Sequence, residues 1–230
     1  MKRVGAVVLA AGQSMRMGRS KPYLLLAGKP TLLHSLERFD RSPSVEELVV
    51  VVRAGEEERF QEEILGHHRF QRPLKTVIGG QERQDSALAG VRALSEQLDL
   101  VLVHDGARPF FSNNLLERLI EAATEYGAAV PGLPVRETIR GFDGDGFSIK
   151  EFDRSRLFRV QTPQCFSYKI LRHSLEEAAA QGKYFTDDAG AVAAFSGVRA
   201  KLIPGEERNI KITTPLDLEL AAALVRRDKE

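Results

Sequence analysis

Short β-branched runs alternate along the chain with stretches whose apolar positions recur at helical spacing. Val4 to Leu9, Leu48 to Val52, Lys75 to Ile78, Leu98 to Val103 and Ala128 to Pro131 are predicted strands. Several are apolar at consecutive positions, as expected of strands covered on both faces. Between them, Leu115, Leu116, Leu119, Ile120 and Ala123 mark one face of a helix that Ser112 opens as N-cap and Gly127 closes. The alternation predicts a doubly wound, mostly parallel α/β sheet, whose ligands gather beyond the carboxyl ends of its strands. The residues just after Leu9, Ile78 and Val103 are therefore the first places to look for a site.

Beyond Pro134 the helical period disappears. From Val135 to Arg154, the turn GDGF flanked by alternating residues predicts a hairpin. A polar hairpin reaching out of an α/β core gains little stability alone, and a second subunit would supply its partner. Regular structure resumes with Phe158 to Phe166 and a helix from about Ser167 to Ala180. A further helix is predicted to be capped at Thr186, with Asp187 and Asp188 in its first turn. The last is opened by Thr214 and Pro215 and ends in Arg226 and Arg227. The expectation is one Rossmann-like domain over residues 1–230, with residues 135–157 as a β-arm excursion used for dimerisation.

Composition narrows the partners. A chain of 230 residues with 43% hydrophobic content can fill the core of one such domain. Lys+Arg 33 against Asp+Glu 32 leaves a formal charge of +1, so no global field draws it to nucleic acid or anionic lipid. Any anion site must be local. The single cysteine, Cys165, cannot form an intramolecular disulfide and lacks the spacing of a zinc site. The start MKRVGAVVLAAG is basic and then apolar, but the run is short and leads straight into Gly12, Arg16 and Arg19, as a first strand does. No stretch approaches the length of a membrane span, so a cytoplasmic protein is expected.

The chemistry-bearing residues cluster at the strand ends. LAAGQSMRMGRSK follows the first strand. Its small residues Ala10, Ala11 and Gly12 let backbone N–H groups approach a phosphate, and Arg16 and Lys21 can neutralise a polyphosphate. It is neither a Walker loop nor a dinucleotide fingerprint, and spacing alone fits an ordinary strand-to-helix turn equally well. VHDGARPF places Asp105 and Arg108 at the end of another apolar strand. The five histidines are scattered, and no catalytic His/Asp pair stands out.

LAAGQSMRMGRSK with LLLAGKPTLLHSLERF resembles the signature of sugar-phosphate nucleotidyltransferases. IGGQERQDSALAG, VHDGARPF, PVRETI, DRSRLFRVQTPQCF, FTDDAGAV and ERNIKITTPLDL resemble, in order, motifs of the 2-C-methyl-D-erythritol 4-phosphate cytidylyltransferase family. Ser14, the short RSKP turn and Gln81 depart from the family pattern. The resemblance implies transfer of CMP from CTP to 2-C-methyl-D-erythritol 4-phosphate, with Mg2+ carried on the CTP phosphates. It implies CTP contacts at Ala10, Ala11, Gly12, Gly80, Ser86, Asp105 and Gly106, and catalytic cations at Arg16, Lys21, Arg154 and Lys211. Contacts to the polyol phosphate fall on Asp105, Arg108, Thr138, Arg154, Thr186 and Lys211, with the arm crossing to the partner of a homodimer. A ribitol 5-phosphate cytidylyltransferase, and a nucleotide-binding regulatory module without catalysis, remain as alternatives.

Overall fold

The β-branched runs become strands of one main sheet in the computed structural model, which describes residues 2–12 and 21–227. In chain order the elements begin with β1 (Val4–Leu9), the short strands β2 (Leu25–Leu26) and β3 (Lys29–Pro30), and α1 (Thr31–Arg41). Next come β4 (Glu47–Val52), α2 (Glu57–Phe60), β5 (Leu74–Ile78), α3 (Arg83–Ala93), β6 (Leu100–Asp105), α4 (Asn113–Tyr126) and β7 (Ala128–Pro134). The arm strands β8 (Ile139–Phe142) and β9 (Ser148–Phe152) follow. The chain ends with β10 (Phe158–Val160), β11 (Gln164–Ser167), α5 (Tyr168–Ala180), α6 (Asp188–Ser196), β12 (Lys201–Pro204) and α7 (Pro215–Arg227).

The main sheet runs β10-β7-β11-β6-β1-β4-β5, with β12 also paired to β7. β5, β4, β1 and β6 are parallel neighbours, and β12 lies parallel to β7. β11 runs antiparallel to both β6 and β7, and β10 antiparallel to β7. The sheet is therefore mostly parallel, as the alternation of elements predicts.

Alternation along each strand divides the core into two layers. Ala6, Val8, Leu48 and Val50 face Leu32, Leu36 and Phe39 of α1 and Leu115 and Leu119 of α4. Val7, Val49, Val51, Val101 and Val103 face Ala87 and Val91 of α3 and Leu171 and Leu175 of α5. Both faces are removed from water, which is why these strands carry apolar residues at consecutive positions.

β4 and β5 begin one residue early and β6 runs on to Asp105, and four further boundaries differ from the sequence expectation for local reasons. β6 starts at Leu100 rather than Leu98 because Leu98 turns inward and the Asp99 carboxylate accepts from the Arg3 backbone N–H at 2.9 Å. β7 runs on to Pro134 because β10 pairs with Gly132, Leu133 and Pro134. The stretch Phe158 to Phe166 divides into β10 and β11 at the cis peptide Thr162–Pro163. The cap of α6 is Asp187, whose carboxylate accepts from Gly190 N–H at 2.9 Å, so Thr186 lies before the helix. The Ser112 cap and the left-handed Gly127 that ends α4 are as expected, with Ser112 accepting from Leu115 N–H at 3.1 Å. No helix among the described residues is long and apolar enough to cross a membrane.

Candidate active site

Three strand ends of the parallel sheet, β1, β5 and β6, open on one cavity of about 730 Å³, within the size range of small-molecule sites. β1 contributes Ala10, Ala11 and Gly12. The segment after β5 contributes Gly80, Gln81, Arg83 and Ser86, and the end of β6 contributes Asp105 and Gly106. Lys21 and Lys211 complete the wall. The loops after β1 and β5 approach closely: a Cβ on Gly79 would stand 2.5 Å from the Ala11 Cβ and 2.6 Å from the Ser86 Oγ. Glycine is required there because any side chain would separate the two halves of the pocket. The first turn of α3 also presents its N-terminus to this cavity, closed by a capping box in which Glu82 N–H donates to Asp85 at 3.1 Å.

A second cavity of about 320 Å³ adjoins it, lined by Arg108, Gln161, Thr162, Gln164, Thr186 and Asp187. Arg83, Asp105 and Lys211 belong to both walls. Asp105 is the hub of this partition. Its carboxylate lies 2.8 Å from Lys211 Nζ, 3.4 Å from Arg83 Nε and 3.6 Å from Arg108 Nε. Burial works to raise its pKa, but Arg83, Lys211 and Arg108 outweigh burial and hold the carboxyl well below the usual carboxylate range. Asp105 is therefore an anion at neutral pH, and the surplus of cations around it favours a negatively charged ligand.

Behind the hub lies a buried polar relay. The Asp105 N–H donates to Thr162 Oγ at 3.0 Å, and the Thr162 hydroxyl faces His104 Nδ1 at 3.0 Å. His104 Nε2 lies 3.0 Å from the Arg108 carbonyl, a contact in which only a protonated Nε2 can donate. Burial pushes the His104 pKa down to about 3, so the ring is neutral and Nδ1 accepts from Thr162. His104 is thus a structural brace beneath the site.

This brace predicts a pH dependence of stability. The folded pKa of His104 lies near 3, below its ordinary 6.5, so the unfolded chain binds the extra proton. Its contribution is fully present above about pH 6.5 and falls by up to about 1.4 kcal/mol per pH unit as pH drops toward 3. His34, lowered mainly by burial, adds a slope of the same sign. Urea titrations between pH 7.5 and 4 should show this decline. His104→Gln should be less stable at pH 7 by about 2 kcal/mol, through lost buried hydrogen bonds, yet have a visibly flatter pH slope. An unchanged slope would exclude His104 as its source.

Most residues expected from the sequence converge here. Ala10, Ala11, Gly12, Lys21, Gly80, Ser86, Asp105, Gly106 and Lys211 line the larger cavity, and Asp105, Arg108, Thr186 and Lys211 the smaller. Arg16 lies outside the described residues. Thr138 and Arg154 are exposed at the base of the arm and line neither cavity of their own chain; Arg154 Nη1 donates to the Arg136 carbonyl at 2.7 Å. Sequence reasoning passed over Arg83 and Thr162. Arg83 was within reach, because a cation at the start of a helix just beyond a predicted strand end is a candidate by position alone. Thr162 carried no such signal.

Strand-end loops, an anion-favouring hub and adjoining cavities define the class as an α/β protein built to hold anionic small molecules. The family model "IspD: 2-C-methyl-D-erythritol 4-phosphate cytidylyltransferase" matches residues 4–227, and the chain belongs to this family. It is 39% identical over 225 residues to the 2-C-methyl-D-erythritol 4-phosphate cytidylyltransferase of Clostridium acetobutylicum, covering 97% of each chain. It is 41% identical over 222 residues to that of Geobacillus kaustophilus, covering 96% of each. Among solved structures, the 4-diphosphocytidyl-2C-methyl-D-erythritol synthase of Anaerococcus prevotii superposes with a TM-score of 0.86 at 31% identity, over 98% of this chain and 97% of that one. The 2-C-methyl-D-erythritol 4-phosphate cytidylyltransferase of Thermus thermophilus gives 0.80 at 35%, over 97% and 99%.

Proposed function

We propose that this chain transfers CMP from CTP to 2-C-methyl-D-erythritol 4-phosphate, giving 4-diphosphocytidyl-2-C-methyl-D-erythritol and pyrophosphate. The observation that carries the reading is the meeting of two cavities at Asp105 and Lys211, since a group transfer needs donor and acceptor on either side of the reacting phosphorus. CTP fits the larger cavity, with its phosphates toward Gly12, Lys21 and the α3 N-terminus. The polyol phosphate fits the smaller one, against Arg108 and Thr186.

In the reaction an acceptor phosphate oxygen attacks the α-phosphorus. The new P–O bond forms as the bond to the β-phosphate bridging oxygen breaks, and pyrophosphate departs. The nucleophile is already ionised at neutral pH, so no general base is needed, consistent with a neutral His104. The task of the protein is to answer negative charge that grows on the phosphoryl oxygens, and Lys21, Lys211 and Arg16 are the side chains assigned to it.

A magnesium ion fits this donor set only as cargo of the triphosphate. Among the described residues no group of three or more His, Cys, Asp or Glu side chains could hold a metal, and the Asp105 carboxylate is already engaged by Arg83, Arg108 and Lys211. The bound ion would neutralise phosphate charge. Dimerisation is supported by the arm: Phe142 and Ile149 are exposed on a two-stranded sheet of its own and Phe147 in the turn that joins it, with Phe147 72% and Ile149 68% accessible. A partner covering this face brings Thr138 and Arg154 toward the neighbouring acceptor cavity.

Pyrophosphate release tests the assignment. With ATP, CTP, GTP and UTP offered against 2-C-methyl-D-erythritol 4-phosphate and ribitol 5-phosphate, turnover should require CTP. The methylerythritol acceptor should be preferred by at least about tenfold in kcat/KM. Turnover of ribitol 5-phosphate alone would reassign the acceptor.

A further inference from the structure

Arg83 belongs to both cavities and was assigned to neither substrate. It is the first residue of α3, the helix whose opening turn forms the floor of the nucleotide cavity. Its Nη2 donates to Asp188 Oδ2 at 2.8 Å, while its Nε lies 3.4 Å from Asp105 Oδ1. Asp188 is the first residue of α6 and its side chain is only 1% exposed, so its charge depends on a partner supplied from elsewhere in the fold. The Arg83 side chain, 29% exposed, still faces the cavities.

The neighbouring residue reinforces the same join. Gln84 donates from Nε2 to the Lys183 carbonyl at 2.9 Å and accepts at Oε1 from Phe185 N–H at 3.1 Å. Two consecutive side chains at the start of α3 therefore grip residues 183–188, the segment that carries Thr186 into the acceptor cavity. A guanidinium suits this work because its planar fork reaches two carboxylates in fixed relative orientation, which a lysine ammonium does not. Arg83, Arg108 and Lys211 all approach Asp105, and Arg83 also holds Asp188, so the join gathers three cations at the edge of the acceptor cavity.

We infer that Arg83 is a positioning residue that fixes the acceptor segment 183–188 against Asp105, and so sets acceptor affinity from a helix belonging to the nucleotide side. It acts through Asp105 and Asp188 rather than on the transferring phosphorus. The inference rests on the transferase reading above.

The test compares Arg83→Lys, Arg83→Gln and Asp188→Asn with the unaltered enzyme, by steady-state kinetics in both substrates and by calorimetric binding of each. In Arg83→Gln the acceptor KM should rise about tenfold or more, with the CTP KM changed less than about threefold. Arg83→Lys should fall between, because it keeps the charge but not the fork. Asp188→Asn should repeat the acceptor-selective pattern, and the Arg83 variants decide the matter if Asp188→Asn does not fold. A merely structural role would lower the melting temperature and raise both KM values together. That result, or a CTP KM that rises as far as the acceptor KM, or no change in either, overturns the inference. An unaltered enzyme that binds the acceptor without turning it over would count against the transferase reading, and the Arg83 effect on acceptor binding would still be read.

Discussion

Lys211→Ala is expected to lose about 100- to 1000-fold in kcat while the fold persists, the range found when one preorganised charge donor to a transition state is removed. Lys211 is placed for this by a short loop pinned on both sides. Ile212 N–H donates to the Ala107 carbonyl at 2.9 Å, and the buried Asn209 donates from Nδ2 to the Thr162 carbonyl at 2.8 Å. Glu206 accepts from Ser112 N–H at 3.0 Å, and its own N–H donates to Gln161 Oε1 at 3.0 Å. Held in this way, Nζ stands between the two cavities, 2.8 Å from Asp105. Stability should change by no more than about 1 kcal/mol, because the Lys211 side chain is 43% exposed and Asp105 keeps Arg83 and Arg108 as counter-charges. Lys211→Arg should restore only part of the rate, since a planar fork does not reproduce a compact ammonium. Rapid-quench measurement of a single turnover separates this loss from product release. A rate within threefold of the unaltered enzyme would remove Lys211 from the chemistry.

The second large effect concerns the arm. Lys211→Ala and Arg154→Ala should each be nearly inactive alone, yet refolding them together should restore about a quarter of full activity. The arithmetic follows from a shared site. Random pairing makes half of the dimers mixed, and in each mixed dimer one site carries both defects while the other carries neither. Were Arg154 to serve the cavity of its own chain, every site in the mixture would carry one defect and activity would stay at background. Arg154 lines neither cavity of its own chain and sits beside a hairpin with exposed Phe142, Phe147 and Ile149. The arrangement therefore favours the neighbouring chain. Sedimentation velocity on a variant with Phe147 and Ile149 changed to Ser checks the same interface.

Much of the frame was legible from residue order. β1 and β4 appear within a residue of the expected runs because a strand covered on both faces must be apolar at consecutive positions. Ser112 and Gly127 bound α4 because capping chemistry is local. The displaced cap of α6 shows the limit of such rules. In FTDDAGAV both Thr186 and Asp187 are good caps, and the choice fell to Asp187, which also accepts from Gln164 Nε2 at 3.0 Å across the fold. That choice leaves Thr186 facing the smaller cavity.

The site divides along the same line. Ala10 to Gly12, Gly80, Asp105 and Gly106 could be named in advance because they stand at strand ends, and a parallel sheet gathers those ends at one edge. Arg83 and Thr162 could not be given roles in advance, because their meaning lies in partners 22 and 105 residues away for Arg83, and 57 and 58 for Thr162. The sequence by itself determined the sheet, its helices and the family. Periodicity, capping and ordered motifs are properties of neighbours in the chain. Only the tertiary structure decided that one carboxylate, Asp105, joins three cations where two cavities meet, since charges so far apart in sequence act on one another only once folding brings them within a few ångströms.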